Sequence, residues 1–286
     1  MKIKILTDSS SSLTLEECEK MGIDCVELQY MVDGENHNAF DNPNETLADF
    51  YKLIDAAKSC STGCGNEYQF EQHFEKWIEK GYQVVYMGLS AALSSTFNNA
   101  VSVANRLNEK YGKKVAACVN TKTGSYGILL FIEDALQMIK DGKTLDEIVA
   151  KLSYDGEKMI ETSFVPRDLS FLYKCGRIGT LEASIGKLLH IVPIVSPVQP
   201  TGKLSTTEKC LGSKLAMKTL KNKYVKLIKS KGLTKCAITS CGLDKDAEDL
   251  KNHIIENTDI KDIKIGLIDK TLACCCGPKT LAIFCK

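Results

Sequence analysis

Four short runs rich in hydroxyls punctuate the first 125 residues: Thr7-Asp8-Ser9-Ser10-Ser11-Ser12, Ser61-Thr62-Gly63, Ser90-Ala91-Ala92-Leu93-Ser94-Ser95-Thr96 and Asn120-Thr121-Lys122-Thr123-Gly124-Ser125. Hydroxyls, together with the free amides of a helix starting near Ser94, bind an anion without a positive side chain. Ser and Thr also cap helices wherever a loop meets one, which explains any single run. Four runs, each placed to follow a segment read as extended, favour an anion site.

What is missing narrows the chemistry. There is no GxGxxG or Walker-type loop, so a dinucleotide or P-loop nucleotide is not the expected anion. There is no GxSxG elbow, and His37, His73, His190 and His253 lie outside any nucleophile motif, reading as surface or packing residues. An anion site without a reactive group reads as binding rather than turnover. The rival reading is an acyl- or phosphoryl-handling enzyme in the same pocket, with Asp8 as its best base. Thirteen cysteines suggest a third, a thiol or metal sensor. Cys60-x3-Cys64, Cys236-x4-Cys241 and Cys274-Cys275-Cys276 lack paired CxxC knuckles, and a cysteine triplet read as a strand points its thiols to alternating faces. Buried reduced thiols are the default, with Cys60 and Cys64 kept in view beside Thr62, and no metal site is expected.

The elements that must position these residues alternate. Strands are predicted over Lys2–Thr7, Asp24–Tyr30, Gln83–Leu89 and Lys114–Val119. Helices are predicted after the capping box at Thr14, over Thr46–Ala57, Glu67–Lys80, Ser94–Tyr111 and Leu129–Ile139, and from Thr144. Strands separated by helices imply a parallel sheet, and ligands of such sheets bind beyond the strands' carboxyl ends. The second half is less regular: strands at Ile160–Val165, Ile191–Val198, Lys235–Ser240, Asp262–Ile268 and Leu281–Phe284, broken helices over Arg167–Leu188, a lysine-rich helix over Ser213–Lys231 with Leu215, Leu220, Val225 and Ile228 inward, and a helix near Asp244–Glu256. The fold class expected is α/β: a parallel-sheet domain with helices on both faces over residues 1–157, then a smaller mixed α/β domain over 158–286.

With 286 residues, 44% hydrophobic and 26% charged, the chain suits two domains with a real core. Its formal net charge of +1 gives no sign of a nucleic-acid partner. No signal or transmembrane segment is read, so the expected location is cytoplasmic. Only Arg106, Arg167 and Arg177 are arginines, the residue suited to bidentate carboxylate recognition.

Taken in order, these stretches resemble the DegV family of bacterial fatty-acid-binding proteins, which includes the binding subunits of fatty acid kinase. ILTDSSSSL resembles the family's strand-plus-TDS opening, Ser61-Thr62 its STS loop, and LSAALSSTFNNA (Leu89–Ala100) its LSSGLSGTY stretch. Asn120 to Gly127 resembles the D-S/T…S-x-G segment, Leu172 to Ile178 the YLKRGGRI motif, Leu188 to Val195 the LLNIKPIL strand, and Cys276-Gly277-Pro278 the HxGPG end. The resemblance spans essentially the whole chain. It implies a non-enzymatic carrier holding a palmitate-, stearate- or oleate-like acid in an apolar tunnel between two domains, with no cofactor. A separate fatty acid kinase subunit would be its partner. Thr62 and Ser94 would hold the carboxylate, with Ser95, Ser61 and Cys275 nearby. Arg177 would lie at a ligand edge, at a partner-docking surface, or paired with an interdomain carboxylate. The sequence departs from the pattern at Cys275, where the family has histidine, at Asn120 for aspartate, at Gly63-Cys64-Gly65 in the STS-x-P loop, at Cys175 in the glycine pair, and at Leu211 in place of an arginine.

Overall fold

The computed structural model describes residues 2–42, 44–179, 190–198 and 201–286. Strand β1 (Lys2–Asp8) turns from alternating lysine and isoleucine to a fully buried end. It sits inside an all-parallel sheet of order β2-β1-β6-β7, with β2 (Asp24–Val26), β6 (Tyr82–Gly88) and β7 (Ala116–Asn120). Parallel neighbours need crossover connections, which α1 (Leu15–Met21), α3 (Glu67–Ile78) and α4 (Thr96–Tyr111) supply, after α2 (Leu47–Ala56). The Thr14–Glu17 capping box forms as the sequence predicts, and a second joins Asn66 to Gln69. The chain steps from β1 out to β2 and returns on the other side of β1 as β6. That reversal opens a crevice at the carboxyl ends of β1 and β6.

Helix α5 (Tyr126–Lys140) ties this sheet to a second one. Residues Tyr126 to Ile132 are consecutively buried, and a helix apolar all round needs cover on every side. It shares one core with Val85, Met87 and Val119 of the first sheet and with Ala237, Ala282 and Phe284 of the second. Gly127 permits the approach: a Cβ there would lie 2.2 Å from Thr123 Oγ1 and 2.8 Å from the Phe284 ring. Helix α6 (Leu145–Lys158) completes that layer.

The second sheet is mixed, of order β10-β9-β8-β13-β11-β12, with β8 (Glu161–Val165), β9 (Ile191–Val198), β10 (Lys203–Leu211), β11 (Cys236–Ser240), β12 (Ile263–Leu267) and β13 (Leu281–Cys285). Within it only β11 and β12 pair in parallel. A short helix, α7 (Ser170–Lys174), follows β8. Helices α8 (Ser213–Lys231) and α9 (Asp244–Asn257) pack on the sheet through Leu220, Tyr224, Ile228, Leu250 and Ile254. Leu215, expected inward on α8, is instead 46% exposed, because Ala216 and Met217 take the buried stripe.

Three expectations change. The segment Asp24–Tyr30 is two strands, not one: β3 (Gln29–Val32) leaves the first sheet and pairs with β4 (Glu35–Asn38) and β5 (Cys60–Thr62) in a small antiparallel sheet. The cysteine triplet lies not on a strand but on α10 (Lys270–Cys276), whose start is fixed by Asp269 accepting from the Leu272 amide at 2.9 Å. That cap outweighs the local preference of the cysteines. Strand β10, read from sequence only as a turn at Thr201-Gly202-Lys203, pairs with β9 throughout its length. Of the broken helices expected over Arg167–Leu188 and the strand likeness beginning at Leu188, the part from 180 to 189 lies outside the described residues.

Candidate functional site

A cavity lies where the carboxyl ends of β1, β6 and β7 meet β5, α10 and the inner face of the second sheet. It is a slot holding about 930 Å³ of empty space, mouth included. Its walls are apolar, drawn from Leu28, Leu89, Phe164, Leu204, Leu272 and Phe284 among others. The sheet wall follows from register. Thr239 on β11 faces Ala282 on β13, which faces Phe164 on β8, and the next row on that face pairs Phe284 with Thr162.

The four hydroxyl-rich runs do meet here. Ser10, Thr62, Ser94, Thr123 and Ser125 all line the slot. Ser94 Oγ lies 2.8 Å from Thr96 Oγ1 and caps the Thr96 amide at 3.2 Å. Thr62 sits at the end of β5, its Oγ1 3.5 Å from Cys275 Sγ. Ser125 adopts φ +50°, uncommon for a residue with a Cβ. Its amide donates to Ser10 O at 2.7 Å, and its Oγ lies 2.7 Å from Ser12 Oγ and 3.1 Å from Thr239 Oγ1. Those bonds hold the turn that opens α5 against the cavity.

Ser61 and Ser95 do not line this slot. Successive strand residues point to opposite faces, so with Thr62 inward Ser61 is exposed. Ser95 precedes the first turn of α4 with no side-chain cap bond, also exposed. It borders a neighbouring surface hollow instead.

Arg177 is the only charged side chain lining the slot among the described residues. Its Nε donates to Leu93 O at 2.7 Å and its Nη1 donates to Cys175 O. Among the described residues no carboxylate pairs with it, and the two carbonyl contacts hold the guanidinium along the loop bearing Ser94. Leu93, Ser94, Arg177 and Leu204 also border the outer hollow, which places the polar end of the slot next to the surface.

Helix α10 brings Cys275 to the slot and adds one residue the sequence reading did not single out, Thr271. Thr271 and Cys275, four apart and hence on one helix face, both line the slot. Among the described residues Thr271 Oγ1, which is buried, has no hydrogen-bond partner, a costly state for a hydroxyl unless a ligand group meets it. Reading the triplet as a helix would have brought Thr271 forward with Cys275. The Cys275 thiol is lowered to about 7, chiefly by a hydrogen bond from the Cys175 thiol, against burial, with Thr62 and the Arg177 charge assisting.

A buried carboxyl, Asp8, and a half-buried one, Asp269, stand behind the site. Asp8 does not line the slot. Its Oδ1 accepts from the Ser10 amide at 2.9 Å and from Ser10 Oγ, and its Oδ2 accepts from Tyr86 OH. Burial pushes it above the usual carboxylate range, and its two oxygens are committed to shaping the turn after β1. Asp269 is raised to about 6, first by burial, although the Leu272 amide and Ser12 Oγ (2.7 Å) hydrogen-bond to it.

The sign of that shift gives a test. Between pH 4 and 6 the unfolded chain has released this proton while the folded one keeps it, so stability falls as pH rises through that window. An Asp269→Asn chain keeps an acceptor for the cap and loses the titration. Urea unfolding is expected to show the parent losing about 2 kcal/mol more than the variant from pH 4 to pH 6.5. Parallel curves would remove the burial argument for Asp269.

Among the described residues no group of three His, Cys, Asp or Glu side chains is arranged to hold a metal ion, and no helix is long and apolar enough to cross a membrane.

The family described as "Uncharacterised protein, DegV family" matches residues 2–286. A DegV domain-containing protein of Clostridium perfringens is 31% identical over 99% of this chain and 97% of its own. Among solved structures, a Thermotoga maritima protein described as revealing a fatty acid binding function is 25% identical, with a TM-score of 0.84 over 100% of this chain and 99% of that one. The Streptococcus pneumoniae fatty acid kinase B3 protein, solved loaded with linoleic acid, shares the fold at a TM-score of 0.84 and 20% identity, over 99% of each chain.

Proposed function

The chain belongs to the DegV family, and from that premise we propose that it is a non-enzymatic carrier of one long-chain fatty acid, held in the slot between the two sheets. The observation that carries this reading is the polarity of the slot. Thr62 meets Cys275, which also feels the Arg177 charge, and Arg177 holds the carbonyl of Leu93 beside Ser94, while the second sheet lends Phe164, Ala282 and Phe284 to the lining. A fatty acid has that same division. Each methylene taken from water contributes about 0.8 kcal/mol, so the tail supplies most of the affinity. The carboxylate must be hydrogen-bonded wherever it is buried, and it thereby fixes which way round the acid lies.

The test is extraction of the purified protein with organic solvent, followed by mass spectrometry. One long-chain fatty acid per chain is expected. An empty protein that also takes up neither oleate nor palmitate would end the proposal. For the head-group assignment, Thr62→Ala with Ser94→Ala is expected to weaken oleate binding about tenfold to a hundredfold, the worth of two hydrogen bonds to a charged group net of water. Unchanged affinity would move the carboxylate elsewhere.

We further propose that the bound acid is presented to a separate fatty acid kinase for acyl-phosphate formation. Arg177 and Ser94 border both the slot and the outer hollow, which brings the carboxyl end within reach of a docked protein. Acyl phosphate formed from the loaded chain only when a bacterial fatty acid kinase and ATP are added is the expected result. Formation without a kinase would favour an enzyme reading, for which Asp8, buried and spoken for, is a poor base.

A further inference from the structure

The three successive cysteines of α10 each interact electrostatically with a thiol from a different element: Cys274 with Cys60, Cys275 with Cys175, and Cys276 with Cys241. Only the middle pair joins the slot to the segment that carries Arg177. Cys175 caps the end of α7, two residues before Arg177, and its Sγ lies 3.6 Å from Cys274 O, against the backbone of α10. Cys275 lines the slot beside Thr62. Helices α7 and α10 are packed tightly: a Cβ on Gly277 would come 2.7 Å from the Phe171 ring.

We propose that Cys175 and Cys275 are a peroxide-oxidisable pair whose disulfide lowers the affinity of the slot for its acid, making loading dependent on redox state. The bond rests on the placement of Cys175 against the α10 backbone beside Cys275, whereas its consequence for loading rests on the fatty-acid reading above.

Both halves of a reactive pair are present. A thiolate is the nucleophile, and a neighbouring arginine and hydrogen-bond donors favour it; Cys275 has the Arg177 charge, the Thr62 hydroxyl and the Cys175 thiol. Cys275 is also partly exposed, whereas Cys236 and Cys285, whose sulfurs lie 2.8 Å apart between β11 and β13, are 3% and 0% exposed. In the first step Cys275 sulfur attacks hydrogen peroxide, an S–O bond forms, the O–O bond breaks and hydroxide leaves as water. In the second, Cys175 sulfur attacks the sulfenic acid, the S–S bond forms, the S–O bond breaks and a second water leaves. Two thiols and one peroxide thus become one disulfide and two waters. The product takes from the slot a sulfur able to donate to a carboxylate, and it stitches the Arg177 segment to α10.

The test uses the whole chain treated with stoichiometric hydrogen peroxide, digested with trypsin without reductant. Cleavage at Lys174, Arg177, Lys270 and Lys279 isolates Cys175-Gly176-Arg177 from Thr271–Lys279, so the expected bond appears as those two peptides linked, with fragmentation locating it at Cys275. Oxidised protein is expected to bind oleate about tenfold more weakly, restored by dithiothreitol. The Cys175→Ser chain, reduced, is expected to bind oleate as the parent does, and after peroxide to form a dimedone-trapped sulfenic acid at Cys275 with no cross-link. Peroxide-treated parent that keeps all thirteen thiols, or links only Cys236 to Cys285, would overturn the pair. A Cys175–Cys275 bond with oleate affinity unchanged would overturn the control of loading. A protein that binds no oleate even when reduced would instead count against the fatty-acid reading, while the peptide link would still decide the bond.

Discussion

Replacing Arg177 with leucine is expected to weaken oleate binding about a hundredfold while the chain still folds. A carboxylate brought into a slot of leucine and phenylalanine loses its hydration. Among the described lining residues, Arg177 alone offers a full positive charge in return. A hydrogen bond to a charged group is worth about 1.5–3 kcal/mol, more than a neutral hydroxyl supplies, and about 2.7 kcal/mol is a hundredfold in affinity. The fold loses less, because the donations to Leu93 O and Cys175 O join two partly solvated loops rather than a core. Arg177→Lys keeps the charge and loses the planar fork that spans both carbonyls, so it should fall between parent and leucine. Titration calorimetry with oleate checks the series, with thermal unfolding alongside. An Arg177→Leu chain that binds oleate within threefold of the parent would release Arg177 from the ligand and leave it as a loop brace.

The first sheet was legible because its segments obey one period each. Alternation and apolar runs marked β1, β6 and β7, and Thr14 with Glu17 marked the start of α1 before any packing was known. The convergence of Ser10, Ser94, Thr123 and Ser125 was also legible, since a parallel sheet must bring its carboxyl-end loops to one edge, whereas Thr62 arrives from β5 of the small antiparallel sheet. What failed was whatever tertiary contact decides. Residues 24 to 32 have strand chemistry throughout, yet β2 and β3 part because β3 finds β4 and β5 as partners. The triplet Cys274-Cys275-Cys276 carries little preference of its own, and Asp269 three residues before Leu272 was the overlooked signal. That misreading also hid Thr271, whose relation to Cys275 exists only at helical spacing. Ser61 and Ser95 were drawn in by adjacency to Thr62 and Ser94. On a strand and at a helix start, adjacency in sequence places a neighbour on another side.

The tail of the acid gives the largest expected effect, through Ala282. This residue stands in the middle of the row Thr239–Ala282–Phe164 on the cavity face of β13, where a methyl is all that separates the sheet from the slot. In an Ala282→Phe chain the ring has the slot beside it to enter, but Ala282 also packs in the core around α5, so overpacking is expected to cost about 1–3 kcal/mol and the unfolding midpoint to fall by several degrees. The acid loses the length of slot that the ring takes. If about five methylenes are displaced, at about 0.8 kcal/mol each, octadecanoic acid should bind roughly a thousandfold more weakly. Decanoic acid, short enough to stop before the ring, should bind within a few-fold of its affinity for the parent. Competition against a fluorescent fatty acid reads both. Equal losses for the two acids would place Ala282 beside the carboxylate, and no loss for either would take the tail out of the slot between the sheets. The contrast between chain lengths is the decisive quantity, because an unfolded or merely loosened protein cannot produce it.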